Sequence, residues 1–254
     1  MYTDEQLDKL EQEEHEITLE TIALMLLLVN STRNNLEKEL RSFYQKYGKD
    51  GVVTYQEARK WVSGEDHRRR LTALLLFVGD EFTTLHSQLE PEFKSVLEKV
   101  IGIEGNFFDV DLDVEKILNT KWGLDDAIWS ERLTDDCELW SDRIASDLKQ
   151  SILKRETVDG VLEQLDKRFD SINSVLEKLV LTESTSIGSL GRKDAFKELG
   201  ASKYKFYSRP DERRCEHCGS LHGLIFPMSA FEVGVTASPI HPRCRCWEVP
   251  ILDE

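Results

Sequence analysis

The sequence predicts a mainly α protein with a small C-terminal α+β module: a long helical body followed by a short-stranded domain clipped by Cys and His side chains. Three observations carry this. Proline is nearly absent from the first 209 residues, where Pro91 stands alone, and the other five follow Arg209. Apolar residues recur at three- and four-residue steps before Gly200 and give way to short alternating runs after it. Four of the five cysteines and three of the six histidines fall in the last fifty residues. A helical body over residues 1–200 and a Cys/His β module over 203–250 follow from this division.

Composition narrows the function classes. The 254 residues suffice for one large or two small domains, and 40% hydrophobic with 32% charged content is that of a folded globular chain. The net charge of −15 lies wholly in residues 1–202, because 203–254 hold seven basic and seven acidic side chains. Such a chain repels phosphate and is a poor general DNA binder, whereas it suits a basic partner surface.

In chain order, an acidic amphipathic run from Asp4 leads into Ile22–Val29, eight apolar residues, against the roughly 20 needed to span a bilayer. This stretch predicts a helix buried on most sides, continuing through Leu36, Leu40, Phe43 and Tyr47 and breaking at Gly48 and Gly51. Thr54-Tyr-Gln-Glu57 is a capping box that starts a short helix carrying Trp61. The basic patch His67–Arg70 reads as a solvated turn paired with neighbouring carboxylates. Leu71–Leu89 predicts a further helix and Gly102–Asp113 a loop. Asp109, Asp111 and Asp113 alternate there, but the glycine and distal glutamate of a calcium loop are out of register.

Trp122–Asp126 reads as a helix opening. Leu133, Cys137, Trp140, Ile144 and Leu148 form one stripe, which makes Cys137 a small buried hydrophobe. Thr157 caps the most regular helix, with Val161, Leu165, Phe169, Ile172, Leu176 and Leu179 on one face. Glu183 falls on the same stripe. Either it is buried and paired, or the helix ends near Thr182 and leaves it at the surface. Beyond Gly200, Tyr204–Tyr207, Leu224–Phe226 and Trp247–Val249 read as three strands.

Between and after those strands lie Cys215-Glu-His-Cys218 and His241-Pro-Arg-Cys244-Arg-Cys246, two clusters of soft ligands separated by just over twenty residues. A tetrahedral zinc site is built this way, each cluster giving two ligands from a tight turn. Five candidates compete for four positions. Cys246 is the weakest, since it and Cys244 share a face of an extended segment only if His241 turns away. Arg209, Arg213, Arg214, Arg243 and Arg245 lower thiol pKa and favour the thiolate. The absence of a signal peptide points to a reducing compartment. Two disulfides or unlinked thiols remain the alternatives. A structural zinc would supply stability that three short strands lack.

These residues carry a resemblance. Lys205-Phe-Tyr-Ser-Arg-Pro-Asp211, Arg214-Cys215-Glu-His-Cys218, Leu221-His-Gly223, Ile225-Phe226 and Pro239-Ile-His241-Pro-Arg-Cys244-Arg-Cys246 stand in the order of the C-terminal signature of the phage head morphogenesis family, the minor head proteins named after protein F of phage Mu. Trp129–Leu199 resembles the two helices of that family, including Thr182-Glu183, although Leu181 stands where the family has an arginine. The resemblance covers about 125–250, so the family domain is expected over 125–254, while 1–124 match no motif. It implies a virion protein, present in few copies in the head interior or portal region and in the host cytoplasm during assembly. Its implied partners are the portal protein and other head components, with packaged DNA contacted weakly and no membrane.

Two other classes remain. One is a zinc enzyme with His222 or His241 as base and Glu183 as its partner. No deaminase, H-E-x-x-H or G-x-S-x-G pattern occurs, so no enzymatic activity is expected. The other is a zinc-ribbon nucleic-acid binder, which the local arginines favour and the net charge opposes.

Overall fold

Helix α1 runs unbroken from Asp4 to Tyr47 in the computed structural model, which describes Tyr2 and residues 4–61, 68–209 and 214–252. Leu7, Leu10, Ile22, Met25, Val29, Leu36, Leu40 and Phe43 form its buried stripe. The expectation that Ile22–Val29 is buried on most sides is corrected: Leu24 and Leu27 are 53% and 64% exposed, so the stretch is amphipathic. The helix stops at Gly48, whose N–H bonds Tyr44 O at 2.8 Å.

Thr54 caps α2 (Tyr55–Ala58) by accepting from Glu57 N at 3.2 Å. Only four residues long, α2 does not reach Trp61, which is 60% exposed and lies under the Arg69 guanidinium. Arg70 pairs with Glu57 at 3.0 Å, as the reading of the basic patch requires. His67 lies outside the described residues.

Helix α3 spans Arg70–Phe108 with Pro91 inside it. The sequence reading ended this helix at Leu89 and made Gly102–Asp113 a loop; the structure overturns both boundaries. Phe93, Val96, Leu97, Val100 and Ile101 continue the buried stripe past the proline. Their burial, roughly 1.5–3 kcal/mol for each large side chain, outweighs a proline cost of about 3 kcal/mol. The helix ends where Gly105 O accepts from Val110 N at 3.0 Å and Asp109 turns left-handed at φ 55°.

Asp113 caps α4 (Val114–Leu118) through Lys116 N at 3.0 Å, which explains that carboxylate without calcium. Trp122–Asp126 is a turn rather than a helix start, closed by Trp122 N to Ala127 O at 3.3 Å. Helix α5 begins only at Trp129 and runs to Leu153, with Leu133, Cys137, Trp140, Ile144 and Leu148 all buried. Burial pushes the Cys137 thiol up to about 12, as befits a hydrophobe.

Helix α6 (Val158–Glu198) passes straight through Thr182. Glu183 is 1% exposed, so the buried and paired reading holds. Gly200, at φ 72°, ends the turn, and Ala201 N reaches Phe196 O at 2.9 Å. Three antiparallel strands follow, β1 (Lys203–Ser208), β2 (Ile225–Pro227) and β3 (Cys246–Ile251), in the order β2-β1-β3. Tyr204 faces Phe226 on one side and Pro250 on the other, and Ser208 faces Cys246.

The chain divides into two compact units. One comprises Leu24–Pro91 and Arg132–Val175, with all or part of α1, α2, α3, α5 and α6 around an apolar core and Phe82 stacked on Phe169 at 6.3 Å. The other comprises Met1–Ala23, Glu92–Glu131 and Leu176–Glu254 and contains the sheet. No helix among the described residues is long and apolar enough to cross a membrane.

Candidate metal centre

The two Cys/His clusters are delivered by two local devices. Cys215 is the N-cap of α7 (Glu216–Leu221), and its Sγ accepts from Cys218 N at 3.3 Å. The C-x-x-C spacing thus lies on a first helical turn, where both sulfurs share a side. His241-Pro-Arg-Cys244 is a turn closed by Cys244 N to His241 O at 3.1 Å, with Arg243 left-handed at φ 60°. Helix α6 anchors this turn: Arg243 N donates to Thr182 Oγ1 at 3.1 Å and Thr185 Oγ1 to Cys244 O at 3.2 Å. Phe206 of β1 forms the apolar floor, buried with Cys218, Cys244 and Cys246.

All five sequence-predicted donors converge. Cys215, Cys218 and His241 have ligand atoms mutually within 4.8 Å, and so do Cys218, Cys244 and Cys246. The two groups share Cys218, and His241 belongs to one while Cys244 and Cys246 belong to the other. Cys218 Sγ and Cys244 Sγ are 3.8 Å apart, the edge of a tetrahedron whose Zn–S bonds are about 2.3 Å. Cys215 Sγ and His241 Nε2 are 3.3 Å apart. The His241 Nδ1–H donates to Pro242 O at 2.9 Å, which leaves the Nε2 lone pair facing the thiols. A histidine held through its other nitrogen by a carbonyl is the arrangement that metal-ligating imidazoles use. All five cysteines of the chain are free.

Protonation follows the same geometry. The Cys218 N–H and the nearby His241 lower the Cys215 thiol. The Cys246 S–H, aimed at Cys244, brings Cys244 down to about 6. Burial and the neighbouring Cys244 push Cys218 up to about 12, and Cys246 is raised by its hydrogen bond to Cys244 and by burial. Burial opposes charge on His241, but the Pro242 carbonyl and the thiols together raise its pKa. A soft cation binding here displaces the protons held by the raised thiols.

Behind the centre lies a buried ionic cluster that the sequence did not disclose. Arg192 of α6 bonds Glu104 of α3 and Glu248 of β3, the latter at 3.1 Å. Glu248 also accepts from Ser189 Oγ at 2.7 Å and from Ser238 N at 2.6 Å. Glu14 of α1 stands 3.7 Å from Arg192. Burial, partly offset by Arg192, raises both Glu14 and Glu104. Gly188 makes room for this: a Cβ there would stand 3.3 Å from an oxygen of each glutamate.

Glu183, the expected partner of a basic histidine, accepts instead from Trp122 Nε1 at 3.0 Å. His222 Nδ1 accepts from Ser208 N at 3.2 Å. Of the five arginines singled out, Arg209, Arg214, Arg243 and Arg245 line the pocket over the thiols, while Arg213 lies outside the described residues.

Residues 142–249 match the family described as Phage Mu protein F like protein. The chain carries a Phage Mu protein F-like domain. This is a phage head morphogenesis family, and the match bears out the resemblance drawn from the C-terminal signature. No curated protein and no solved structure matches the chain. The Mu F-like domain includes every Cys and His of the centre, together with Thr182, Thr185, Arg192 and Glu248.

Proposed function

We propose that the protein is a minor head protein that works at the portal during phage head assembly, and that its Mu F-like domain is closed by one structural zinc ion. The family supports a place in the head and partners there. The portal is the partner best suited to the acidic helices if it offers a basic surface, because the charge excess lies outside the C-terminal module. Contact with packaged DNA is the weaker part of this reading, since a chain of charge −15 gains little by counterion release. The virion head is its place, with the host cytoplasm during assembly.

The observation that carries the metal is His241 Nε2 set beside the Cys215 and Cys218 thiols, with its Nδ1 held by the Pro242 carbonyl. Cys215, Cys218, His241 and Cys244 are the preferred ligands. Cys215 neighbours His241, and Cys218 neighbours Cys244 while lying within 4.8 Å of Cys215 and His241, so one ion would draw a pair of ligands from each turn. Cys246 neighbours Cys218 and Cys244 and is the surplus donor. With four protein ligands the site is closed and structural rather than catalytic, and we assign no enzymatic activity. When bound, zinc supplies cross-linking between the α7 turn and the His241–Cys244 turn.

Elemental analysis of protein purified without chelator tests the metal, with about one zinc per chain expected. No metal, together with disulfides found among the four cysteines, overturns it. Co-purification with the portal protein tests the partner. Tight DNA binding at physiological salt without portal association would reverse the order of readings.

A further inference from the structure

The pocket over the thiols is lined by Arg209, Arg214, Arg243 and Arg245 beside the Cys and His donors, and no carboxylate among the described residues lines it. In a chain of net charge −15 this concentration of guanidinium groups requires a reason. Two present themselves: an outward surface for a polyanion, or a counter-charge for the centre beneath.

The local charge decides between them. Zinc with three thiolates and a neutral imidazole carries one net negative charge, and a fourth thiolate makes it two. Arg209 is paired with Glu11 of α1, and Arg243 lies 3.7 Å from Glu177 of α6. Among the described residues, those two carboxylates and the centre itself leave the four arginines at most a single surplus positive charge, little for binding a polyanion. Without these four arginines, an anionic centre would stand beside Glu11 and Glu177 without their charges to offset it. Placement agrees with an inward role. Arg214 packs over α7, its Nε 3.6 Å from the point where a Cβ on Gly219 would stand. Arg243 and Arg245 flank Cys244 in the turn that supplies the ligands.

We propose that Arg209, Arg214, Arg243 and Arg245 are the counter-charge of the metal–thiolate centre and set its affinity for zinc. They touch neither ion nor substrate; they position charge around the ligands. This rests on the zinc reading above. Groups around a metal's ligands typically change affinity about 10–100-fold when removed.

Competition against a chromophoric zinc chelator measures the affinity in the full-length protein. Arg245→Gln is expected to weaken zinc binding by about 10-fold, and Arg243→Gln with Arg245→Gln by up to about 100-fold. The corresponding Arg→Lys changes, which keep the charge, should restore most of it. Circular dichroism of each variant controls for folding, and Arg143→Gln, outside the module, should leave affinity unchanged. Wild-type protein that binds no zinc removes the metal reading itself. Wild-type protein that binds zinc, with well-folded glutamine variants binding it equally tightly, overturns the counter-charge alone. Unchanged zinc affinity with lost retention on a heparin column would assign the arginines to an external polyanion and equally overturn it.

Discussion

The two compact units bury different chemistry. The unit of Leu24–Pro91 and Arg132–Val175 has an apolar interior: among its described residues only Thr32 and Ser151 are buried polar side chains. Its charged groups meet at the margin, as where Arg33 joins Asp166 and Arg168 joins Asp147, with side chains a quarter to a half exposed. The unit that holds the sheet buries Glu104, Glu183, Arg192 and Glu248 and gathers five soft donors besides. An apolar interior tolerates exchange among side chains of similar volume, whereas a buried ionic cluster requires each partner by identity. The first unit is specified by pattern and the second by particular residues.

Removing the metal should break the contrast most widely. Cys215→Ser, or zinc extraction, is expected to cost on the order of 10 kcal/mol in the C-terminal module, as for small zinc domains. Hydrogen exchange should show loss of protection over 203–251 while the helices of Leu24–Pro91 and Arg132–Val175 keep theirs. Uniform loss through both units would show that they do not respond separately. Zinc affinity should also fall with acidification, about tenfold per pH unit for each proton displaced, because binding removes the proton from a thiol raised to about 12.

Next in size is Arg192→Met. It leaves Glu104 and Glu248 buried without their cation and should cost about 3–5 kcal/mol in urea unfolding. A loss below 1 kcal/mol would mean the cluster is neutralised by other means. A smaller effect concerns Glu104, whose pKa is raised chiefly by burial above the carboxyl value of 4.5. A raised folded pKa contributes stability that is complete below the unfolded pKa and lost as pH rises through the folded one. Stability should therefore fall with pH above 4.5 at up to about 1.4 kcal/mol per unit for one proton, and Glu104→Gln should flatten that slope. An unchanged slope would place the proton elsewhere. Smallest of all, Arg33→Ala at the half-exposed pair with Asp166 should cost no more than about 1 kcal/mol. A loss like that of Arg192 would erase the distinction between the units.

What was legible in the sequence divides the same way. The stripes from Leu133 to Leu148 and Val161 to Leu179 repeat at helical period, and every one of the residues named in them is buried. The Cys and His spacing announced the centre because each half is a local turn. Boundaries failed where a local breaker was outvoted by packing, at Pro91, Gly102 and Gly105 in α3. Partners failed where the bond joins distant segments. Trp122 reaches Glu183 across 61 residues and Arg192 reaches Glu104 across 88, and nothing in either neighbourhood names the other. The same distance hid Thr182 and Thr185, which hold the ligand-bearing turn from α6.

Gly188 makes the difference between the units visible at a single atom. Exchanging glycine for alanine inside a helix ordinarily stabilises by roughly 0.5–1 kcal/mol, since alanine has less freedom to lose. Gly79, in α3 of the apolar unit, has open space where a Cβ would go, and the ordinary rule should apply there. At Gly188 the added methyl would press on oxygens of Glu14 and Glu104 and on a nitrogen of Arg192, all at 3.3–3.4 Å. Helix α6 forgoes intrinsic propensity at that turn to admit charged groups from three directions. A designer who strengthened both helices by the same substitution would tighten one unit and pry open the other.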